Sequence, residues 1–347
     1  MVKRRSIGGA GGDGGASLSQ ILDALRAARG AGVRPLATAA PRAHRVVTVA
    51  SPKGGVGKTT FATNLAVTLR ALREDLDVLF VPLDDQPLPD RMFWLGTADP
   101  APTVSDAIAQ GSLAGAIRLG QFGVHHVPAA PDAMLLRESL RTPRQLELSL
   151  RRSAFPGLVI LDTRSDLDLP TQAALAASDL AVVVVREQAS LHEAGRIFDL
   201  LDTWQRPRSR ARVLLSAIDL RVKYAGSDEP DILALLLAGL RRRGYPHFAT
   251  FLSHSPAVPA LTTNPAGRAA PVLSGAPATR VSRQLRALAE ELLAALEEPC
   301  EESASPAPIA ASARSAPAAA AAMPAPAGSS PAPRHWILRA SRPPAGR

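Results

Sequence analysis

The chain has 347 residues, 46% of them hydrophobic but only 4% aromatic, and a formal net charge of +9. That length suits one large domain or two small ones, with an aliphatic core of Ala, Leu and Val. A single cysteine, Cys300, excludes a disulfide framework and any cysteine-built metal or iron–sulfur site within one chain.

No apolar run reaches the roughly 18 residues of a membrane span. The start, MVKRRSIGGAGGDGG, is basic but leads into glycines, unlike a secretory signal. The expectation is a cytoplasmic protein. Charge is unevenly placed. Residues 45–300 carry 28 Lys and Arg against 27 Asp and Glu, and the two ends hold the other 12 basic and 4 acidic residues. Cationic ends suit an anionic partner such as DNA or a membrane surface, and equally a soluble tail in an arginine-rich proteome.

Residues 1–44 read as a flexible basic arm with one short helix. SLSQILDALRAARG sets Ser17 and Gln20 at capping-box spacing, lines Leu18, Ile21, Leu22 and Leu25 on one face, and offers Gly30 as a stop. That helix either packs on the body or docks a partner. Residues 45–298 alternate strand and helix patterns. Strands are expected over Val46–Ala50, Val78–Leu83, Val124–Val127, Leu158–Asp162, Leu180–Val185, Arg212–Ala217 and Phe248–Leu252, several as short apolar runs buried on both faces. Phe61, Leu65, Leu69 and Leu72 mark the first helix among them, and Val281, Leu285, Leu288, Leu292 and Leu296 the last. The alternation predicts an α/β fold with a doubly wound, mostly parallel sheet.

Residues 299–347 form an Ala/Pro-rich tail. Residues 299–333 cannot bury enough apolar surface to offset their ordering entropy and read as a disordered linker. The terminal basic segment RHWILRASRPPAGR carries one small apolar spot, Trp336, Ile337 and Leu338, too few residues for firm membrane anchoring.

The chemistry concentrates in VVTVASPKGGVGKTTFATNLA, Val46–Ala66. A chain with only four lysines against 36 arginines places two, Lys53 and Lys58, in this one loop. A strand runs into Lys53-Gly54-Gly55-Val56-Gly57-Lys58-Thr59-Thr60, and a helix follows. A phosphate chain needs several backbone N–H groups converging on it. Glycines let the loop fold that tightly, and the helix N-terminus adds the positive end of its dipole. Lys58 is placed to reach the β- and γ-phosphates of ATP, and the Thr59 hydroxyl to bind Mg²⁺. Pro52 stands where the pattern G-x-x-x-x-G-K-[ST] has its first glycine, so the strand-before, helix-after context carries this assignment.

The run K-G-G-x-G-K-[ST] resembles the deviant Walker A loop of the ParA/MinD family of P-loop ATPases. The resemblance covers most of residues 45–298 and implies a P-loop NTPase fold. It further implies an ATPase that works as a homodimer with two ATP molecules sandwiched between subunits. Lys58 would serve its own nucleotide and Lys53 the neighbour's. VLFVPLDDQP is similar to the family's second strand and switch I, usually D-x-D-P-Q. Asp84 then falls on the Asp that orients the attacking water, while Pro82 replaces the first Asp and Asp85 the proline. LVILDTRSDLD resembles Walker B and delivers Asp162 to the Mg²⁺ shell through a water. Arg164 and Ser165 stand where the family continues with a proline. In VLLSAID, Ser216 takes the place of the Asn that meets adenine. The implied site is thus Lys53, Lys58 and Asp84 for catalysis; Gly54, Gly55, Val56, Gly57, Lys58, Thr59, Thr60 and Ser216 for the nucleotide; and Thr59 with Asp162 for the metal. The altered switch positions leave hydrolysis slow or absent.

ParA-type members bind DNA nonspecifically as ATP dimers, which directs attention to the arginines. Arg206, Arg208 and Arg210, with Arg212, share one stretch. Arg241, Arg242 and Arg243 end a helix capped by Asp228. Arg280, Arg283 and Arg286 lie at helical spacing on the last helix. Phosphate contacts give affinity without sequence reading, but arginines also complement a helix C-terminus or form a solvated face. Three readings stand. The first is an ATP-gated dimer that holds DNA and releases it when an activator or cargo protein triggers hydrolysis, for DNA segregation or cargo positioning. The second is a MinD- or flagellar-number-type ATPase that cycles on a membrane. The third is a non-hydrolysing nucleotide-bound scaffold in an envelope or polysaccharide assembly.

Overall fold

The computed structural model describes residues 44–95, 102–221, 232–263 and 269–298. The expected N-terminal helix, the Asp228 cap and the Trp336–Leu338 spot lie outside the described residues.

The apolar runs become a seven-stranded sheet. Its strands are β1 (His44–Ala50), β2 (Val78–Leu83), β3 (Arg118–Leu119), β4 (His125–His126), β5 (Gly157–Thr163), β6 (Leu180–Val185) and β7 (Ala211–Leu215), ordered β3-β4-β2-β5-β1-β6-β7. Every pairing is parallel except β3 with β4. Between them run α1 (Lys58–Leu72), α2 (Leu88–Phe93), α3 (Val104–Gln110), α4 (Ala133–Ser139), α5 (Arg144–Arg152), α6 (Leu169–Ala177), α7 (Gln188–Thr203), α8 (Ile232–Arg243), α9 (Ala257–Thr262), α10 (Val272–Gly275) and α11 (Arg280–Glu297).

Continuous apolar strands are possible here because helices cover both faces. Alternate residues go to opposite sides. Val47, Val49, Ile160 and Val182 pack with Leu65 and Leu69 of α1 and Leu285 and Leu288 of α11. Val46, Val159 and Leu161 face Ile108, Leu146 and Ala174 on the other side. Val183 and Val185 face Leu191, Phe198 and Leu240. Each fully buried Val or Leu contributes roughly 1.5–3 kcal/mol, which is how an aromatic-poor chain holds a large sheet together. The parallel register sets Val49 beside Asp162 and Pro82 beside the same residue on the other flank. The C-terminal ends of β1, β2 and β5 therefore meet at one edge, where ligands bind in open α/β sheets.

Two expectations need correction. Val124–Val127 shortens to His125–His126 and gains an antiparallel edge partner in β3. Phe248–Leu252 is not a strand. It runs beside β7 through Phe248 N–H to Val213 O, 3.0 Å, and Leu252 N–H to Leu215 O, 2.9 Å. The N–H groups of Ala249 and Thr250 instead go to the Glu291 carboxylate on α11, at 2.6 and 3.0 Å, and Ser253 N–H goes to Gln284 Oε1 at 3.0 Å. Side chains of a helix thus claim donors that a ladder would have used.

Candidate functional site

The loop from Ser51 to Gly57 joins β1 to α1 at that edge. Gly55 and Gly57 hold φ values of 73° and 93°. A Cβ added at either would meet no atom within 4 Å, so backbone conformation, not crowding, demands glycine there. Gly57 caps α1 without a side-chain hydrogen bond, and the first helical turn has no acidic residue. The helix N-terminus keeps its positive dipole end uncompensated, the setting that receives an anion. Val56 is buried and anchors the loop beneath its exposed glycines.

Lys58 is buried, and its Nζ donates to Ser165 Oγ at 2.8 Å and to Lys53 O at 3.5 Å. Burial pushes its pKa down, while Asp162, Asp84 and Asp166 pull it back up. Asp162 at the end of β5 is fully buried, and neither carboxylate oxygen has a hydrogen-bond partner. Burial pushes its pKa up to about 7, against the lowering influence of the neighbouring Thr59 hydroxyl and Lys58 ammonium. A buried carboxylate with no donor near it but the Thr59 hydroxyl and the Lys58 ammonium, at a helix N-terminus, fits a hard cation. No group of three or more His, Cys, Asp or Glu forms a metal cage among the described residues. Mg²⁺ takes one or two protein ligands and completes its shell with phosphate and water.

Asp84, just past β2, is largely buried. Its Oδ1 accepts the Asp85 N–H at 2.9 Å and Arg164 Nη1 at 3.3 Å. Burial raises its pKa, and Arg164 opposes that. Lys53 Nζ is 2.6 Å from Glu187 Oε1 of the same chain. The expected residues Lys53, Lys58, Asp84, Thr59 and Asp162 thus gather around one loop.

A cavity of about 270 Å³ opens on the other side of that loop. Gly55, Val56, Gly57 and Thr60 line it together with Ser216 beyond the end of β7. Ser216, expected from the sequence, is therefore on the wall. Gly54 lies outside this lining, with Ser165 3.6 Å from the Cβ it lacks. Arg186, Asn64 and the segment Leu252–Ser255 also line the cavity and were not anticipated. Asn64 has one readable signal, a polar residue four positions after Thr60 on the buried stretch of α1. It bonds Thr60 O at 2.7 Å and takes Val272 N–H at 2.6 Å, fastening α10 to α1. Ala217, next to Ser216, holds φ at 55°, a conformation that costs energy for a residue with a Cβ and shapes the cavity rim.

The arginines separate into two groups. Arg206 Nη1 binds Leu175 O at 3.3 Å, Arg210 Nη1 binds Ser178 O at 3.5 Å, and Arg212 pairs with Glu298. Arg208 grips Asp202 with two bonds, 3.0 and 2.5 Å, and lies over the stacked Phe198 and Tyr245 rings. These four are committed within the chain. Arg243 bonds Gly239 O at 3.3 Å, and Arg241 and Arg242 are exposed. Arg280, Arg283 and Arg286 form an exposed row on α11. Arg280 and Arg283 border a groove of about 530 Å³ with Phe251, whose ring centroid is 5.7 Å from the Arg280 guanidinium.

Sheet and loop together define a P-loop NTPase-like fold. An AAA-domain family matches residues 44–211. The chromosome-partitioning ATPase Soj of Thermus thermophilus is 34% identical over 166 residues, 48% of this chain and 63% of that protein. An uncharacterised ATP-binding protein of Methanocaldococcus jannaschii is 29% identical over 146 residues, 42% of this chain and 53% of that protein. The chain thus spans less than two thirds of the length of these relatives. The septum site-determining protein MinD of Pyrococcus horikoshii, complexed with Mg-ADP, superposes with a TM-score of 0.57 at 24% identity, over 72% of this chain and 96% of that one. A ParA family ATPase of Chlorobium tepidum superposes at 0.56 with 19% identity, over 71% and 98%. At these identities the structures report on fold alone. The chain is thus similar to an AAA-domain family over residues 44–211 and to Soj over 48% of its length, and it shares its fold with the MinD and ParA structures.

Proposed function

We propose that this protein binds Mg-ATP in the loop and cavity, dimerises on it, and acts as an ATP-gated switch whose DNA-holding face is the arginine row of α11. The observation that carries the reading is the orphaned, fully buried Asp162 carboxylate beside Thr59 and Lys58 at an uncompensated helix N-terminus. Loop N–H groups and Lys58 hold the phosphates, and the Ser216 side holds the base. Thr59 and Asp162 hold Mg²⁺, which neutralises charge on the phosphates when bound. Asp84 is placed to orient water, and Lys53 to reach the nucleotide of a second copy once it leaves Glu187. A partner protein stimulates turnover and so releases DNA, which serves segregation or the positioning of a cargo. Soj, the 34% identical relative, is named for chromosome partitioning, in keeping with this reading.

The first test measures binding to a random duplex at near-physiological salt, with ADP and then with a slowly hydrolysed ATP analogue. Binding only with the analogue supports the switch. Equal binding in both states reduces it to electrostatic attraction. No binding in either removes DNA from the reading.

A second reading, a nucleotide-bound scaffold with little or no turnover, is favoured by one observation: Arg164 ties up Asp84. Hydrolysis of bound ATP at any sustained rate would exclude it. The membrane-cycling reading has less support, since its candidate anchor, Trp336, Ile337 and Leu338, offers too few apolar residues for firm attachment.

A further inference from the structure

Two consecutive residues behind β5 occupy groups that the proposed nucleotide chemistry requires. Ser165 Oγ accepts from Lys58 Nζ at 2.8 Å and lies over the loop beside Gly54. Arg164 Nη1 is 3.3 Å from Asp84 Oδ1 and 3.7 Å from Asp85 Oδ2. The guanidinium is thus shared between two adjacent carboxylates from the loop after β2. The Arg164 side chain is 30% exposed and that of Asp84 15%. Asp84 Oδ1 already takes the Asp85 N–H, so with Arg164 it has two donors. A carboxylate that already accepts from a guanidinium nitrogen is a poorer acceptor for a water molecule, and the contact disfavours its swinging away.

We propose that Arg164 is a positioning residue that restrains Asp84, and that breaking the Arg164–Asp84 pair is the step that releases basal turnover. The proposal rests on the nucleotide-site reading given above. It assigns regulation within that site to a residue of the chain itself. Arg164 does not touch the phosphates in this role; it acts through Asp84 alone. A nucleotide phosphate that draws Lys58 away from Ser165 frees the same two-residue turn, which couples occupancy of the loop to the restraint.

The test uses the full chain and the variants Arg164→Ala, Arg164→Lys, Asp84→Asn and Arg164→Ala/Asp84→Asn. Three quantities are read: affinity for a fluorescent ATP analogue, phosphate release at saturating Mg-ATP, and hydrogen exchange of residues 84–90 in the nucleotide-free protein. Arg164→Ala is expected to raise kcat about twofold to fivefold, the scale of a weak, partly solvated ion pair, with nucleotide affinity unchanged. Exchange over 84–90 should quicken by a similar factor, while α3 stays as in the parent. Arg164→Lys keeps a charge beside both carboxylates and should retain most of the restraint. The double variant should match Asp84→Asn alone, because Arg164 works through that carboxylate.

A fall in kcat for Arg164→Ala, or an unchanged kcat with unchanged exchange, would overturn the proposal. So would a gain that persists in the Asp84→Asn background. Failure of the parent chain to bind the ATP analogue would overturn the site reading and this proposal together, and the binding measurement tells that failure from the others.

Discussion

Lys53 Nζ lies 2.6 Å from Glu187 Oε1, so the second loop lysine is paired within its own chain. Both side chains are more than a third exposed, at 36% and 42%, a setting in which an ion pair contributes about 0–1 kcal/mol. Such a pair is exchanged at little cost. Glu187→Gln is expected to leave Tm close to the parent's. Lys53→Ala should remove ATP-dependent dimerisation, read by light scattering, with nucleotide binding retained. A normal ATP dimer in Lys53→Ala would refute the cross-dimer role.

Occupation of the loop should stabilise the fold. A ligand that binds only the folded chain at 100 times its Kd adds about 2.7 kcal/mol. Thermal unfolding with Mg-ATP should therefore shift upward, and the shift should vanish with Lys58→Ala and shrink when a chelator removes Mg²⁺ or when Asp162 becomes Asn. An equal shift in all four conditions would place the nucleotide elsewhere.

His126 gives the fold a pH dependence remote from the site. Burial, then Arg118 and His125, push its pKa down from 6.5 to about 4. The unfolded chain takes up that proton near pH 6.5, but the folded chain waits until about 4. The stability it contributes is whole above pH 6.5 and is lost as pH falls from there to about 4, at most about 3 kcal/mol. Urea unfolding of the parent across that window should show the loss, and His126→Gln should flatten it. An unchanged slope in the variant would assign the acid sensitivity to other groups.

The two arginine groups should separate experimentally. Arg208→Ala removes a two-bond pair to Asp202 and a cation over two rings. It should cost about 1 kcal/mol of stability and leave DNA affinity intact. Arg280→Glu with Arg283→Glu should do the reverse, weakening DNA binding and flattening its salt dependence with Tm held. Unchanged DNA affinity in that double variant would rule out the α11 face.

The sheet and the phosphate loop were readable because their signals are local: apolar runs of six or seven residues, glycines at fixed offsets, two lysines in eight positions. What escaped depends on distant groups. Phe248–Leu252 carries a strand pattern, yet Glu291 and Gln284, some 31 to 42 positions later, take donors a strand would need. In the sequence Arg164 is a departure from the family pattern that favours a non-hydrolysing scaffold, with no partner visible. Its partner Asp84 is 80 residues earlier, joined to it by the β2–β5 pairing. Likewise the stretch Arg206–Arg212 reads as an open basic patch until Asp202, Glu298 and two backbone carbonyls are folded against it.

α11 has two working faces. Val281 and Leu285 on its inner side form part of the cavity wall next to the glycine loop, while Arg280, Arg283 and Arg286 stand on its outer side. Glu291 and Gln284 bolt the same helix to the segment that continues into that wall. A rigid rod cannot rotate or slide at one surface and stay still at the other. Whatever fits the wall therefore sets the bearing of the arginines, and whatever grips the arginines presses back on the shape of the wall.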